Sequence, residues 1–423
     1  MPVEVDTRYT CTYQGTHKQV YKEQRDTLMS SNPNLSRSRG RVNGRGGRNA
    51  RRTRWQIDGR GRGQQSKLER EGSRIGSGGH QSPENKSLPR PQPMDIVVMT
   101  TEDVVSFGLC LVGFGKERQN VGKKLLNDRF LAFYGPDPRS VKDLLFDLKE
   151  EFNDTSFADV MMTLNWAKRY DVEHVLAGRW GYGEKYIGAK IKEIAKRIQS
   201  FFAKMIVFDP DLFDDREIHI ISVDTFNCTT EEMRQTPSTA FFDHKSNSCG
   251  LKYEAALPIR HVSLLEFDYL LILLLYSHHS ISQSLPVWLK GPHMAGEKHD
   301  KTVFCGGTQE TAKADRDQSA LYFKIPPKKK GVGDSAYEGM ADIMLVRREG
   351  HSKETTNFIN AALARQENYH WRLKSYEILR ARFRHGRSTE DKMNLHKMAT
   401  EMVAVIVQYD LHYRPLSEVD NYL

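Results

Sequence analysis

Apolar residues recur at three-, four- and seven-residue steps in three stretches of the first half of the chain. Residues 130–152 carry this pattern after a Gly-Pro-Asp-Pro turn, and residues 157–170 and 184–205 repeat it. This is the period of a helix with one buried face. Residues 94–113 hold apolar clusters that can form a short strand or an arm. The pattern predicts an all-α domain over residues 94–205.

The second and third of these helices are joined by residues 171–183, a short connection. Helices at this spacing are typical of a packed helical domain, and less often of a helix-turn-helix unit that reads DNA. In a DNA reader, the basic side chains of the third helix would face phosphates, and these are Lys190, Lys192, Lys196 and Arg197.

From residue 206 onward, short apolar runs rich in Ile and Val favour strands. Residues 216–228 form the first run, and residues 251–259 and 286–292 are two more that can pair with it. Asp224 lies where the first strand is predicted to end, and Asp334 follows a Gly-Val-Gly segment at another predicted strand end. Carboxylates at such strand ends are common metal ligands. Residues 206–423 are therefore predicted to form an α/β domain.

Residues 360–386 contain no proline and a single glycine at the end, and they predict one long amphipathic helix. Glu367 and Lys374 lie seven residues apart and project from the same side, while Arg365 lies just before the acid. An exposed face of ion pairs is the simple interpretation. The alternative is a metal site, because two aspartates at strand ends can enclose divalent ions together with Glu367.

Such a group of acids suits the cleavage of phosphodiester bonds. Two metal ions about 4 Å apart can clamp a phosphate, lower the pKa of an attacking water or 3′-hydroxyl, and neutralise the leaving oxygen. The candidate catalytic and metal-binding residues are Asp224, Asp334 and Glu367, with Asp300 as a secondary candidate for the metal. Arg365 and Lys374 would hold the flanking DNA phosphates.

The positive charge of the chain lies in its first 93 residues. They carry 19 Lys and Arg against 8 Asp and Glu, whereas the remaining residues carry 44 against 46. Ten arginines, including Arg51 and Arg52, fall between Arg37 and Arg62 among glycines and one Trp. This composition predicts a disordered basic tail. The tail would bind DNA or RNA phosphates without reading sequence, or else serve nuclear import.

Five scattered cysteines form no CxxC pair, which argues for a reducing compartment and against a zinc ribbon or a disulfide framework. The first residues lack the basic-then-apolar pattern of a signal peptide. The apolar run YLLILLLY is too short for a membrane span of about 20 residues. We therefore expect an intracellular protein without a membrane partner.

Several sequence blocks occur in a characteristic order between residues 130 and 416. They are VDTFNC, FDHKSNSCGLKYE, KGPHMAGEKHD, GDSAYEG and ARQENYHWRLK, followed by RFRHG. This ordered set resembles the PIF/Harbinger type of DDE transposases, in particular transposase-derived proteins of algae and similar protists. The GDS-Y block and the RxE helix, with a Lys seven residues after the Glu, carry most of the resemblance.

The resemblance implies a ribonuclease-H-like catalytic core, a mixed sheet with flanking helices, preceded by a helical DNA-binding region. It implies Mg²⁺ or Mn²⁺ held by Asp224, Asp334 and Glu367, with Asp300 as the alternative second acid, and a basic flank of Arg365 and Lys374. It also implies a nuclear, divalent-metal-dependent endonuclease that acts on transposon ends and target DNA, with a Myb-like accessory protein and a homo-oligomeric active form.

Two features depart from the family pattern. Thr225 follows the first acid where many relatives have Gly. Residues 262–284 interrupt the pattern with an apolar insert, interpreted as translated sequence of an unremoved intron, with a buried helix or an aggregation-prone strand as alternatives. A domesticated nucleic-acid-binding protein without catalysis is therefore an alternative function, and an RNA-binding protein that acts through its Arg/Gly tail is another.

Overall fold

A mixed sheet with helices before and after it forms the part of the chain that the computed structural model describes, residues 96–232, 239–260 and 285–419. The predicted basic tail, with Arg51 and Arg52, and the apolar insert of residues 262–284 lie outside these ranges. The described residues all belong to one compact unit. The prediction of a mixed α/β fold with a helical region ahead of the sheet is confirmed at this level.

Seven helices precede the sheet within the described ranges. They are α1 (Thr101–Leu111), α2 (Lys123–Tyr134), α3 (Pro138–Glu151), α4 (Phe157–Arg169), α5 (Glu173–Trp180), α6 (Glu184–Ser200) and α7 (Phe202–Met205). Thr100 and Asp103 close a capping box at the start of α1, so the apolar residues after it form a helix, and a strand there is excluded. The connection predicted at residues 171–183 also holds a helix, α5.

Six strands form the sheet: β1 (His219–Thr229), β2 (Phe242–Asp243), β3 (Ser248–Pro258), β4 (Trp288–Met294), β5 (Lys330–Gly333) and β6 (Met344–Val346). β3 is antiparallel to β1, and β2 and β4 are antiparallel to β3. β5 is parallel to β1, and β6 is parallel to β5. The strand candidate at residues 286–292 therefore pairs with β3 and not with β1.

Four further helices follow within the described ranges: α8 (Asp300–Cys305), α9 (Lys353–Lys374), α10 (Glu377–Arg380) and α11 (Thr389–Tyr413). The single helix predicted over residues 360–386 is wrong at both ends. The helix begins at Lys353, because the Ser352 side chain caps it by accepting a hydrogen bond from the Thr355 N–H. It ends at Lys374, and the chain continues in α10 and then to Phe383, which forms a parallel bridge with Thr230, the residue directly after β1.

Short 3₁₀ helices link these elements, at Ile96–Val98, Lys116–Gln119, Pro210–Leu212, Thr239–Phe241, Lys313–Asp315, Leu321–Phe323 and Ser335–Tyr337. In the described ranges, no helix is long and apolar enough to cross a membrane.

The two faces of the sheet carry different cores. One face shares a large apolar cluster with the first seven helices and with α9 to α11, so Phe226 and Tyr253 of the sheet belong to the same core as Leu144 of α3 and Ile194 of α6. A smaller cluster with Phe304 of α8 covers the other face. The boundary predicted at residues 205/206 therefore does not separate two cores, because α11 packs against α3 and α6.

Candidate acidic site

The side chains of β1 alternate between the two faces of the sheet. Ser222 hydrogen-bonds to Gln366 of α9, and Phe226 contacts His370 of the same helix, so these residues and Asp224 between them face α9. Thr225 points to the opposite face, where its hydroxyl donates to Asp300 of α8 at 2.6 Å. We call these surfaces the α9 face and the α8 face. The two faces separate Asp224 from Asp300.

Asp334 lies beside Asp224. β1 and β5 are parallel, and their register pairs Ser222 with Val332, two residues before each aspartate. Val332 packs with Phe358 and Ile359 of α9, and alternation directs the position two residues later to the same α9 face. The prediction that β1 ends at Asp224 is wrong, because β1 continues to Thr229. What ends here is its neighbour β5, and this opens the sheet beside Asp224.

Asp224 lies in a partly buried, electrostatically unfavourable position. Its side chain is 26% exposed, and one oxygen accepts the Thr225 backbone N–H at 2.7 Å. Burial, followed by the negative charges of Asp334 and Asp300, raises its pKa to about 7. His370 Nδ1 lies 3.6 Å from the other oxygen. Burial lowers the pKa of His370 to about 3, so the imidazole is neutral and does not compensate the carboxylate.

Glu367 lies on α9 at the level of Asp224. Gln366 binds Ser222 and the Ala255 carbonyl, each at 3.0 Å, and His370 contacts Asp224, so α9 runs along β1 in the same direction. Leu363, one turn before Glu367, packs in the cluster that contains Val332 of β5. Glu367 is therefore on the flank of α9 that faces the end of β5, and it is exposed to solvent.

Asp300 is held by an ion pair on the α8 face. Lys252 Nζ, on a side chain that is 9% exposed, donates to Asp300 at 2.7 Å and to the Lys298 carbonyl at 2.8 Å. With the Thr225 hydroxyl, this leaves Asp300 engaged in the protein's own contacts. Of the two candidates for the second acid, Asp334 shares a face with Asp224 and Glu367, whereas Asp300 does not.

The acids meet the requirements of a divalent ion in part. Asp224 and Asp334 offer hard, anionic oxygens, and the repulsion that raises the pKa of Asp224 is what a cation between them would relieve. Across the residues with described positions, no three His, Cys, Asp or Glu side chains already stand close enough to hold a metal ion. Glu367 would have to turn inward from the flank of α9 to complete the set.

Arg365 is buried, whereas the sequence predicted an exposed side chain that holds a DNA phosphate. It is 3% exposed and donates to the Ile259 carbonyl at 3.0 Å, because its position on α9 points into the protein. Burial lowers its pKa to about 10. The prediction that it holds a DNA phosphate is therefore corrected. Lys374 is half-buried, with its Nζ 5.9 Å from the centre of the Phe226 ring, close to the acids.

The basic residues of α6 are divided between ion pairs and solvent. Lys190 pairs with Glu193 at 2.9 Å, and Arg197 pairs with Asp154 at 2.8 Å and with Glu193 at 2.6 Å. Lys196 is exposed. The apolar side of α6 packs against α4 and α11, so α6 lies within a larger helical layer than the predicted three-helix unit. Lys190, Lys196 and Arg197 as DNA contacts stay predictions.

Sequence reasoning missed several residues around the acids. Lys252 lies in the strand LKYEAALPI, in which Lys252 and Glu254 are the two charged residues among mostly apolar ones, and a charge in such a strand signals a buried partner. Gln366 and His370 flank Glu367 within the RQENYH block and fasten α9 to the sheet. Lys245 is exposed near the site, and its charge acts to lower the pKa of Asp224.

Comparison with known proteins leaves the family open: no protein-family model matches the chain, and the searches of curated proteins and of solved structures return no significant match.

Proposed function

We propose that this chain is a transposase-derived DNA endonuclease that depends on divalent metal ions. The observation that supports the proposal is that Asp224 and Asp334 lie on the α9 face at the open end of β5, with Glu367 on the helix that covers this face. Asp224 and Asp334 are neighbours in the β1–β5 register, and Glu367 lies at their level on α9. The proposed group leaves out Asp300, which pairs with Lys252 and accepts a hydrogen bond from Thr225 on the α8 face.

The strand order supports a ribonuclease-H-like core as part of this proposal. Reading across the sheet, β4, β3 and β1 are antiparallel neighbours, and β5 and β6 continue from β1 as parallel strands. Three antiparallel strands followed by two parallel ones, with a first acid on the first strand and a last acid on a long helix against it, fit such a core. The resemblance in the sequence blocks points the same way.

Each group at the site has a defined task in the proposed reaction. Mg²⁺ or Mn²⁺, when bound, would supply an activated water and neutralise the leaving oxygen. Asp224, Asp334 and Glu367 would hold the ions, which requires Asp224 to lose its proton. Lys374 would hold a DNA phosphate next to the acids. The water oxygen would bond to phosphorus and give up a proton, the bond to the 3′-oxygen would break, and that oxygen would take up a proton from solvent. The freed 3′-hydroxyl could then carry out strand transfer.

The proposed substrates are transposon ends and target DNA in the nucleus. A Myb-like accessory protein, a homo-oligomeric active form and RNA binding by the basic tail are further parts of the proposal that rest on the sequence alone.

A second candidate is a domesticated nucleic-acid-binding protein that retains the fold without the chemistry. The exposure of Glu367 favours it, because this acid stands apart from the Asp224–Asp334 pair in the described structure. In this case the lysines near the site and the basic tail would contact nucleic acid, and no bond would be cleaved.

A plasmid-nicking assay with Mg²⁺ tests the proposal. The wild type should nick the plasmid, Glu367→Gln should lose at least about 100-fold in rate because a metal ligand contributes several kcal/mol, and Glu349→Gln, at an exposed glutamate before α9, should retain the activity. Full activity in Glu367→Gln would refute the role of this acid. Absence of nicking in all three proteins would favour the second candidate.

A further inference from the structure

Trp371 is an unusual residue for a solvent-facing position on α9. It is 67% exposed, the largest exposed fraction among the aromatic residues of the described structure that face solvent. An indole ring in water forgoes the stabilisation that burial would provide. Single exposed apolar residues need no explanation by themselves, so the neighbours of Trp371 decide whether it has a role.

Those neighbours belong to the candidate acidic site. Trp371 lies one turn after Glu367 on the same helix, and such residues have Cβ atoms about 5–6 Å apart. Lys374, whose Nζ lies 5.9 Å from the centre of the Phe226 ring, follows three residues later on the same side of the helix. The exposed ring therefore lies beside Glu367 and Lys374, the acid and the cation that α9 would contribute to a site for a phosphodiester.

Two arginines of α9 are held by contacts inside the protein, whereas Lys374 lies on the same side as the acids. Arg365 is buried and donates to the Ile259 carbonyl, and Arg372 pairs with Asp410 at 2.8 Å, so both side chains are directed into the protein. Lys374 and, from the β2–β3 turn, the exposed Lys245 remain on the side of the acids. An aromatic ring next to lysines is the combination that binds single-stranded nucleic acid, since bases stack on the ring while cations contact phosphates.

We propose that Trp371 stacks on an unpaired base of the DNA strand, one or two nucleotides from the phosphate held at the acids. This inference rests on the proposed function for the position of the phosphate. Inside a duplex both faces of a base are covered by its neighbours, so a ring on a helix surface can stack only on a base that has left the pair or lies at a strand end. The site therefore prefers DNA that is locally unpaired.

Binding without catalysis provides the test. The full chain is titrated in EDTA with a paired duplex and with the same duplex carrying a three-nucleotide bubble, and affinity and tryptophan fluorescence are both recorded. The wild type should bind the bubble more tightly, with quenching of emission. Trp371→Ala should lose about 5- to 100-fold in affinity for the bubble and little for the duplex. Trp371→Phe, which keeps a ring, should retain most of the affinity but lose the quenching.

The outcomes separate this inference from nuclease activity. The bubble preference is measured without divalent ions, so it stands even if the protein nicks no plasmid. Equal affinities of the wild type and Trp371→Ala for the bubble would overturn the inference, as would equal losses for duplex and bubble. Stronger, Trp371-dependent binding of an unpaired RNA of the same sequence would overturn the choice of DNA. Unchanged thermal unfolding of both variants, expected for an exposed side chain, shows that the fold is intact.

Discussion

Asp224 of β1 lies beside Asp334, the residue directly after β5, because the register of the two parallel strands pairs Ser222 with Val332 two residues earlier. β5 ends at Gly333, so the two carboxylates meet where the sheet opens. This relationship makes Asp334 the partner of Asp224 and leaves Asp300 to its ion pair with Lys252 on the other face.

The raised pKa of Asp224 predicts a pH-dependent stability. The unfolded carboxyl loses its proton near pH 4 and the folded one near pH 7, so folding becomes less favourable as the pH rises between these values. Asp224→Asn removes this penalty. The variant should be more stable than the wild type by about 1–4 kcal/mol at pH 8 without divalent ions.

Denaturant unfolding of both proteins at pH 4 and pH 8 measures this difference. The gain should shrink towards zero at pH 4, where folded and unfolded carboxyls are both protonated. Glu254 and Asp147 also have raised pKa values, about 8 and about 7, because of burial, but both proteins contain them and their effect cancels. If Asp224→Asn is no more stable than the wild type at pH 8, the explanation that burial and neighbouring acids destabilise the Asp224 carboxylate is contradicted.

The ion pair between Lys252 and Asp300 predicts energetic coupling between the two residues. Lys252→Met leaves a carboxylate without its cation, and Asp300→Asn weakens the partner of a nearly buried ammonium group. Each single change should cost about 2–4 kcal/mol of unfolding free energy. The double variant should cost less than the sum, by a coupling of about 1–3 kcal/mol.

A double-mutant cycle by denaturant unfolding gives this coupling. Strictly additive costs would show that the two groups do not stabilise each other. Because the pair lies on the α8 face, we also expect that Asp300→Asn does not affect the metal site. The folded molecules of this variant should bind the metal ion with the affinity of the wild type.

The burial of Arg365 predicts that it does not contribute to DNA affinity. Its Nε and Nη2 make no hydrogen bond to any group in the described structure, so a volume-matched apolar residue forfeits little. Arg365→Met should change stability by less than about 1.5 kcal/mol and leave the salt dependence of DNA binding unchanged. Lys374→Ala, at the half-buried cation near the acids, should reduce the slope of log K against log salt by about 1. A reduced slope of log K against log salt in Arg365→Met would show that Arg365 contacts a DNA phosphate.

Local patterns predicted individual elements well. The core positions Val141, Leu144 and Leu148 have helical spacing, and the run of Ile220, Ile221 and Val223 lies in a strand. The pattern failed where distant contacts decide the outcome. The end of α9 at Lys374 depends on Tyr376 and Phe383 packing into the common core, and the inclusion of α11 in the helical layer depends on residues more than 180 positions apart in sequence.

The candidate site shows the same division. The sequence alone pointed to Asp224 and Asp334 as carboxylates beside strands, but strand alternation and register were needed to show that they share a face. The burial of Arg365, two residues before Glu367, follows from the rotation of α9 against β1. Gln366 and His370 set that rotation through contacts with β1 and β3. Because these strands are distant in sequence, the residues around Arg365 do not reveal the rotation.

Binding of a divalent ion tests the central claim, that Asp224 and Asp334 form one metal site, most directly. Isothermal titration of Mn²⁺ into the full chain should show binding to the wild type and to Glu338→Gln, a loss of the same charge at an exposed position four residues from Asp334. Asp334→Asn should lose the binding or weaken it at least about 10-fold. Equal Mn²⁺ affinities of the wild type, Glu338→Gln and Asp334→Asn would contradict the account.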